Sequence, residues 1–201
     1  MFLSIVSDEL KVPPAEAFEL ISRWGLGHVE LRGMGDGRIP EGDVQSIAAL
    51  VKQYRMKVSG VSPGVFKCAP QRRQIAEGIE RLKLTLNLLP LLQTDLVIVF
   101  PIQAEAEGNP PQLVIDGLKE AGRLAKEENA RIAIENEPGY TAVGARALAE
   151  LVDAVGMENV GANWDPGNAW PYDTEIDQAV EILGDRIFNA VSYTHLRAHE
   201  T

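Results

Sequence analysis

Short apolar runs of strand character alternate along the chain with longer segments whose apolar positions recur every three to four residues. The runs are FLSIV (Phe2–Val6), HVELR (His28–Arg32), KVSGV (Lys57–Val61), DLVIVF (Asp95–Phe100), RIAIE (Arg131–Glu135) and VGANW (Val160–Trp164). RIFNA begins a seventh at Arg186. Each is rich in β-branched or apolar residues and is closed by Gly, Pro, Ser or Asp. Between them, Pro13–Trp24 opens on prolines suited to a first helical turn and keeps Ala17, Leu20, Ile21 and Trp24 on one face. Asp43–Tyr54 places Val44, Ile47, Ala48 and Val51 at the spacing of a helical stripe. Arg72–Leu92 does the same with Ile75, Ile79, Leu82 and Leu86, and Pro90 is expected to kink or end it. Pro110–Asn129 and Ala142–Val155 complete the set, the latter stopped by Gly156.

Strands alternating with helices predict an α/β fold in which helical crossovers connect parallel strands. The units recur at roughly the 30-residue spacing of a βα unit, six complete and a seventh begun. A doubly wound sheet should carry a Gly-rich loop after its first strand, and SDELKVPP is not one. The pattern fits a TIM (β/α)8 barrel better, and such barrels typically need about 250 residues. With 201 residues, the expectation is an incomplete barrel of about six and a half units.

Composition narrows the function. Apolar residues make up 45% and charged residues 24%, with a formal net charge of −10. That charge argues against nucleic acid or an anionic membrane as partner. No run of 18 apolar residues occurs, so no membrane span is expected. MFLSIVSDEL lacks a basic leader and a cleavage site and reads as a first strand. The single Cys68 cannot form an internal disulfide, which fits a cytoplasmic protein.

In a barrel of this kind the working residues sit at the carboxyl ends of strands and in the loops that follow. Two carboxylates stand there: Glu135 in IAIENEPG and Asp165 in GANWDPGN. Alternation along a strand lets Glu135 face the barrel interior while Ile132 and Ile134 face the helices. Asp165 faces inward on the same count, with Ala162 and Trp164 outward. Neighbouring strands lie about 4.8 Å apart, so the two carboxylates could share one divalent cation. Without a cation they would repel, and one would hold its proton. The plain alternative is a helix cap and a turn residue, since Asp-Pro-Gly is turn chemistry.

Three phrases, VELRG, IAIENEPG and ANWDPGNA, resemble the xylose isomerase-like TIM barrels known as sugar phosphate isomerases/epimerases. The likeness runs from residue 1 to about 190. It implies a divalent metal, Mn²⁺, Mg²⁺ or Co²⁺, held by Glu135, by Asp165, by a His after strand 7 and by a Glu after strand 8. Asn168 matches a substrate-contacting position that is His in many ketose epimerases, so the resemblance stops short of 3-epimerase specificity. The implied activity is isomerisation or epimerisation of a small sugar or hydroxy-carbonyl compound. The metal would hold two substrate oxygens and stabilise an enediolate, while Glu135 moves a proton. A metal-dependent dehydratase of a cyclic polyol or ketose, and a non-catalytic ligand-binding barrel, are the alternatives. Endonuclease IV, a nucleic-acid relative, needs several histidines, whereas only His28 lies between Met1 and Ala190. Homo-oligomerisation of the full-length parent stays open.

Other residues carry weaker signals. Glu30 and Arg32 share the inward face of the second strand, as a buried ion pair or as substrate contacts. His28 starts that strand at the far end of the barrel and reads as structural. Glu137 reads as a solvated turn residue. Trp170 could wall a sugar site or simply pack. Glu30–Pro40, with three glycines, reads as a mobile loop over the mouth or a plain surface loop.

The tail VSYTHLRAHET gathers His195, Arg197, His199 and Glu200. The family histidine is expected near Val191, and a strand lengthened to His195 would carry it about 13 Å beyond the mouth. The string also matches, codon for codon, one reading frame of a transposase adapter ligated to DNA for sequencing. The expectation is therefore a partial barrel over residues 1–190 and a non-native translation over 191–201. On that reading the strand 7 His and strand 8 Glu are absent, and the chain itself binds metal weakly and is inactive.

Overall fold

The computed structural model describes residues 2–33, 35, 37–104, 111–170, 172 and 175–192. Seven strands form one sheet in chain order: β1 (Ile5–Val6), β2 (His28–Leu31), β3 (Lys57–Val61), β4 (Leu96–Val99), β5 (Arg131–Glu135), β6 (Val160–Trp164) and β7 (Ile187–Ala190). Every neighbouring pair is parallel. The connections carry helices α1 (Pro14–Arg23), α2 (Val44–Gln53), α3 (Arg72–Leu86), α4 (Leu89–Leu92), α5 (Gln112–Glu127), α6 (Ala145–Val155), α7 (Pro166–Ala169) and α8 (Ile176–Leu183). The sheet curls: Asn189 on β7 donates a hydrogen bond to Glu30 on β2 at 3.4 Å, a contact an open flat sheet could not make. This is an incomplete (β/α)8 barrel, with β1 and β7 as its two edges among the described residues.

The strand alternation assigns the two faces as expected. Val29 and Leu31 on β2, Val97 and Val99 on β4, Ile132 and Ile134 on β5, and Ala162 and Trp164 on β6 join one large core beneath the helices. The opposite face holds a much smaller apolar group, Leu96, Ile98 and Ala133, with Phe188 packed on it. β4 is buried along its whole length, as parallel strands covered on both faces should be.

Several boundaries differ from the sequence expectation for identifiable reasons. The segment Arg72–Leu92 is two helices, because the Pro90 ring would clash with the carbonyl four residues back, and α3 ends there, at Leu86. Pro90 instead occupies the first turn of α4. The first strand is only Ile5–Val6, since β1 has one neighbour, and Phe2 and Leu3 are exposed. Phe2 stacks on His28 with ring centroids 4.0 Å apart, which gives His28 a structural role. Asp43 caps α2 by accepting from the Ser46 N–H at 3.1 Å and its hydroxyl at 2.6 Å. Gly161 has a steric duty: a Cβ there would lie 2.6 Å from the Arg186 carbonyl and 2.7 Å from the Phe188 ring. Only glycine lets the start of β7 approach β6 this closely.

Candidate metal and acid/base site

Glu135 ends β5 and Asp165 follows β6, so both stand at the carboxyl end of the barrel. Glu135 is in register with Asn163, whose amide donates to its Oε2 at 2.7 Å. Asn163 is fully buried, and its Oδ1 has no hydrogen-bond partner. Asp165 is 2% exposed. Its Oδ1 accepts from the Asn168 N–H at 3.0 Å and caps the short helix α7.

The backbone of Asp165 is clamped by one residue. Asn136 accepts from the Asp165 N–H at 2.8 Å, and its amide donates to the Asp165 carbonyl at 2.8 Å and to the Val143 carbonyl at 2.9 Å. Asn168 returns the tie, donating from its side chain to the Asn136 carbonyl at 2.9 Å. The loops after β5 and β6 are thereby bolted together, and the two carboxylates are held on one rigid ledge.

Electrostatics follow from this placement. Burial, then the like charges of Asp165, Glu30 and Glu137, push the Glu135 carboxyl up to about 7, with the Asn163 N–H opposing. Glu30 is also pushed up to about 7, chiefly by burial, with Arg32 and the Asn189 hydrogen bond pulling the other way. Both carboxyls therefore carry a cost of ionising, chiefly from burial and then from like charge, that a proton relieves. A divalent cation would relieve it equally well. Carboxylate oxygens suit Mn²⁺, Mg²⁺ or Co²⁺, and the unpartnered Asn163 Oδ1 is a further hard acceptor nearby. Glu135 and Asp165 thus fit as part of a donor set. Among the described residues no three His, Cys, Asp or Glu side chains gather as a complete one.

Other candidates are distributed differently. Glu30 and Arg32 do not pair with each other. Arg32 turns to the loop after β1, donating from Nε to both Asp8 oxygens at 3.0 and 3.2 Å and from Nη2 to Glu9 at 2.5 Å. The two residues share a face, but acidic residues beyond β1 outcompete Glu30 for the guanidinium. Asn168 spends its amide on the Asn136 carbonyl. Trp170 is 55% exposed at the end of α7. Glu137 reaches Lys67 at 3.4 Å. The loop after β2 doubles back, with Gly33 bridging Arg38, the Ile39 N–H donating to Arg32, and Ile39 fully buried. Met34 and Asp36 of that loop, and His195, Arg197, His199 and Glu200 of the tail, lie outside the described residues.

Sequence reasoning passed over Asn136, Asn163 and Arg38. Asn163 was within reach, since it lies two residues before Asp165 and so on the same inward face. Asn136 faces the other way, and nothing local marks its grip on the next loop.

A curled parallel sheet with helices outside and acidic residues at the carboxyl ends of adjacent strands defines a TIM-barrel protein. The family model described as xylose isomerase-like TIM barrel matches residues 18–197, and the chain belongs to that family. The match runs past Ala190 into the tail. Among solved structures, a probable 3-DHS dehydratase involved in petrobactin synthesis from Bacillus anthracis is similar at a TM-score of 0.78 and 14% identity. The likeness covers 94% of this chain and 72% of that one. A 3-keto-D-glucoside 4-epimerase from E. coli gives 0.78 at 13% identity over 94% of this chain and 78% of that chain. An AP endonuclease, family 2, from Brucella melitensis gives 0.77 at 17% identity over 94% and 77%. At these identities the likeness is one of fold. No curated protein matches the chain. Among the described residues, no helix is long and apolar enough to cross a membrane.

Proposed function

We propose that the chain carries the Glu135–Asp165 half of a divalent-metal-dependent isomerase or epimerase. Its substrate would be a small sugar or hydroxy-carbonyl compound. The observation that carries this reading is a half-buried Glu135, lifted to about 7, at the end of β5, with the buried Asp165 just beyond the neighbouring strand β6. A general base poised near neutral pH can both take and return a proton at carbon. Asn163 holds Oε2 and so aims the other carboxylate oxygen at the substrate. Asp165, fixed by Asn136 and by the Asn168 N–H, keeps its carboxylate at the mouth. Bound Mn²⁺, Mg²⁺ or Co²⁺ would supply Lewis-acid stabilisation of the charge that develops on substrate oxygen. Among the described residues no third His, Cys, Asp or Glu completes the set.

Family membership supports the reading, as do epimerases of similar fold, among them a D-psicose 3-epimerase and an L-ribulose 3-epimerase. The dehydratase of similar fold supports a second outcome, in which the same proton abstraction is followed by loss of water. Cys68 is a free thiol, in keeping with a cytoplasmic setting. The test is solvent exchange at the substrate carbon in D₂O, comparing the full-length parent with its Glu135→Gln variant. The variant should lose exchange by about 10² to 10⁴-fold. Unchanged exchange would remove Glu135 from the chemistry.

A further inference from the structure

An opening lies at the carboxyl end of the barrel, on its β1–β2 side. It is a cavity of 870 Å³ between the loops that follow β1 and β2. That volume is within the usual range for a small-molecule site, about 300–1,000 Å³. Among the described residues three cations line it, Lys11, Arg32 and Arg38, against one carboxylate, Asp8. Arg32 is neutralised by Asp8 and Glu9. Neither Lys11 nor Arg38 has a carboxylate partner among the described residues.

Arg38 is the more telling of the two. Its Nε donates to the Ser62 carbonyl at 2.8 Å and its Nη2 to the Ser62 hydroxyl at 3.1 Å. One edge of the guanidinium is thus pinned to the loop after β3, and Nη1 makes no hydrogen bond among the described residues. A guanidinium half-buried without a counter-ion is costly, and here burial and the neighbouring Arg32 charge both push its pKa down. Arg81 adds to that shift, while the Asp8 carboxylate and, less strongly, Glu135 oppose it. Gly64, at φ +78°, gives the group room, since a Cβ there would stand 3.1 Å from Arg38 Nε.

We propose that this cavity is an oxyanion subsite in which Arg38, aided by Lys11, binds the phosphate or carboxylate of an anionic substrate. The subsite deepens the proposed function, for it makes the substrate a charged hydroxy-carbonyl compound whose reactive carbon reaches Glu135. A pinned, planar guanidinium recognises such a group by geometry as well as by charge. An ammonium substitute keeps only the charge.

The test titrates the 201-residue chain with inorganic phosphate and, separately, with glycolate, by calorimetry at low salt. Phosphate binding the tighter identifies a phosphate ester; glycolate the tighter identifies a carboxylate. Arg38→Gln should weaken the preferred anion about tenfold or more, and Arg38→Lys by an intermediate factor. Arg73→Gln, an exposed charge on α3 paired with Glu77, should change nothing. In parallel, ¹⁵N spectra of the unmutated chain should show phosphate- or glycolate-dependent shifts at the Gly33, Gly35 and Gly37 amides, which needs no variant to fold. Equal binding by Arg38→Gln, equal weakening by Arg73→Gln, or shifts clustered elsewhere would overturn the proposal. The two readouts are separate: Arg38-dependent anion binding with proton exchange indifferent to Glu135→Gln would remove the proposed chemistry alone, and Glu135-dependent exchange with anion binding indifferent to Arg38→Gln would remove the subsite alone.

Discussion

Replacing Asn136 with alanine removes three hydrogen bonds to backbone, at the Asp165 N–H, the Asp165 carbonyl and the Val143 carbonyl, of which the Asp165 carbonyl keeps the Ala169 N–H at 3.2 Å. Asn136 is fully buried and Asp165 nearly so, so water does not readily take its place. Each neutral hydrogen bond contributes about 1 kcal/mol net, and each buried group left bare costs about 1–3 kcal/mol. Losing all three, with some relaxation at Val143 on the loop side, should cost about 3–4 kcal/mol. That is a large part of the roughly 5–15 kcal/mol that holds a domain together. Urea unfolding followed by circular dichroism measures it, with the slope checked for two-state behaviour. Asn136→Asp should also be strongly destabilising, because it replaces the donating amide with a third buried carboxylate facing two carbonyls. A loss below about 1 kcal/mol in the alanine variant would show that the clamp does not organise the ledge.

The pH response has a definite sign. Glu30 and Glu135 are both raised from 4.5 to about 7, so the folded chain holds protons that the unfolded chain releases. Their contribution is fully present below about pH 4.5 and is lost as pH rises through 7. Metal-free chain should therefore unfold at lower urea at pH 7.5 than at pH 5, and Glu30→Gln should flatten part of that slope; a slope unaltered by Glu30→Gln would contradict the burial of Glu30. Gly161→Ala drives a methyl into the Arg186 carbonyl and the Phe188 ring; thermal unfolding should show a loss of about 1–3 kcal/mol, with hydrogen exchange rising first in β7. Asp43→Ala removes the α2 cap and should cost about 1 kcal/mol in the same assay, rescued by Asp43→Asn or Asp43→Ser.

How much of this was legible in the sequence depends on the range of the interaction. Period-two and period-three-to-four patterns report local geometry, so every strand and the first five crossovers were visible, while α8 between β6 and β7 was passed over; strand ends and parity singled out Glu135 and Asp165. Ends decided by a partner were harder. Phe2–Ser4 has strand composition, but a strand on a sheet edge keeps only the residues its single neighbour pairs with. The break before Pro90 was anticipated as a stop, and its position four residues back comes from the carbonyl that the ring would strike. Arg32 was placed on the correct face, yet its partner lay on another loop, Asp8 and Glu9 instead of Glu30. Asn136 and Arg38 act wholly through such loop-to-loop contacts, which leave no periodic trace.

The central claim is that Glu135 and Asp165 form one cation site at the barrel mouth. Titration of the 201-residue chain with Mn²⁺, followed by electron paramagnetic resonance of the free ion at pH 7.5, tests it directly. The account predicts one weak site, with a dissociation constant on the order of 10⁻⁴ to 10⁻³ M, the range expected of a ligand-poor oxygen site. Glu135→Gln and Asp165→Asn should each abolish that site. Mn²⁺ binding of equal strength in both variants, or sub-micromolar binding by the chain as it stands, would contradict it.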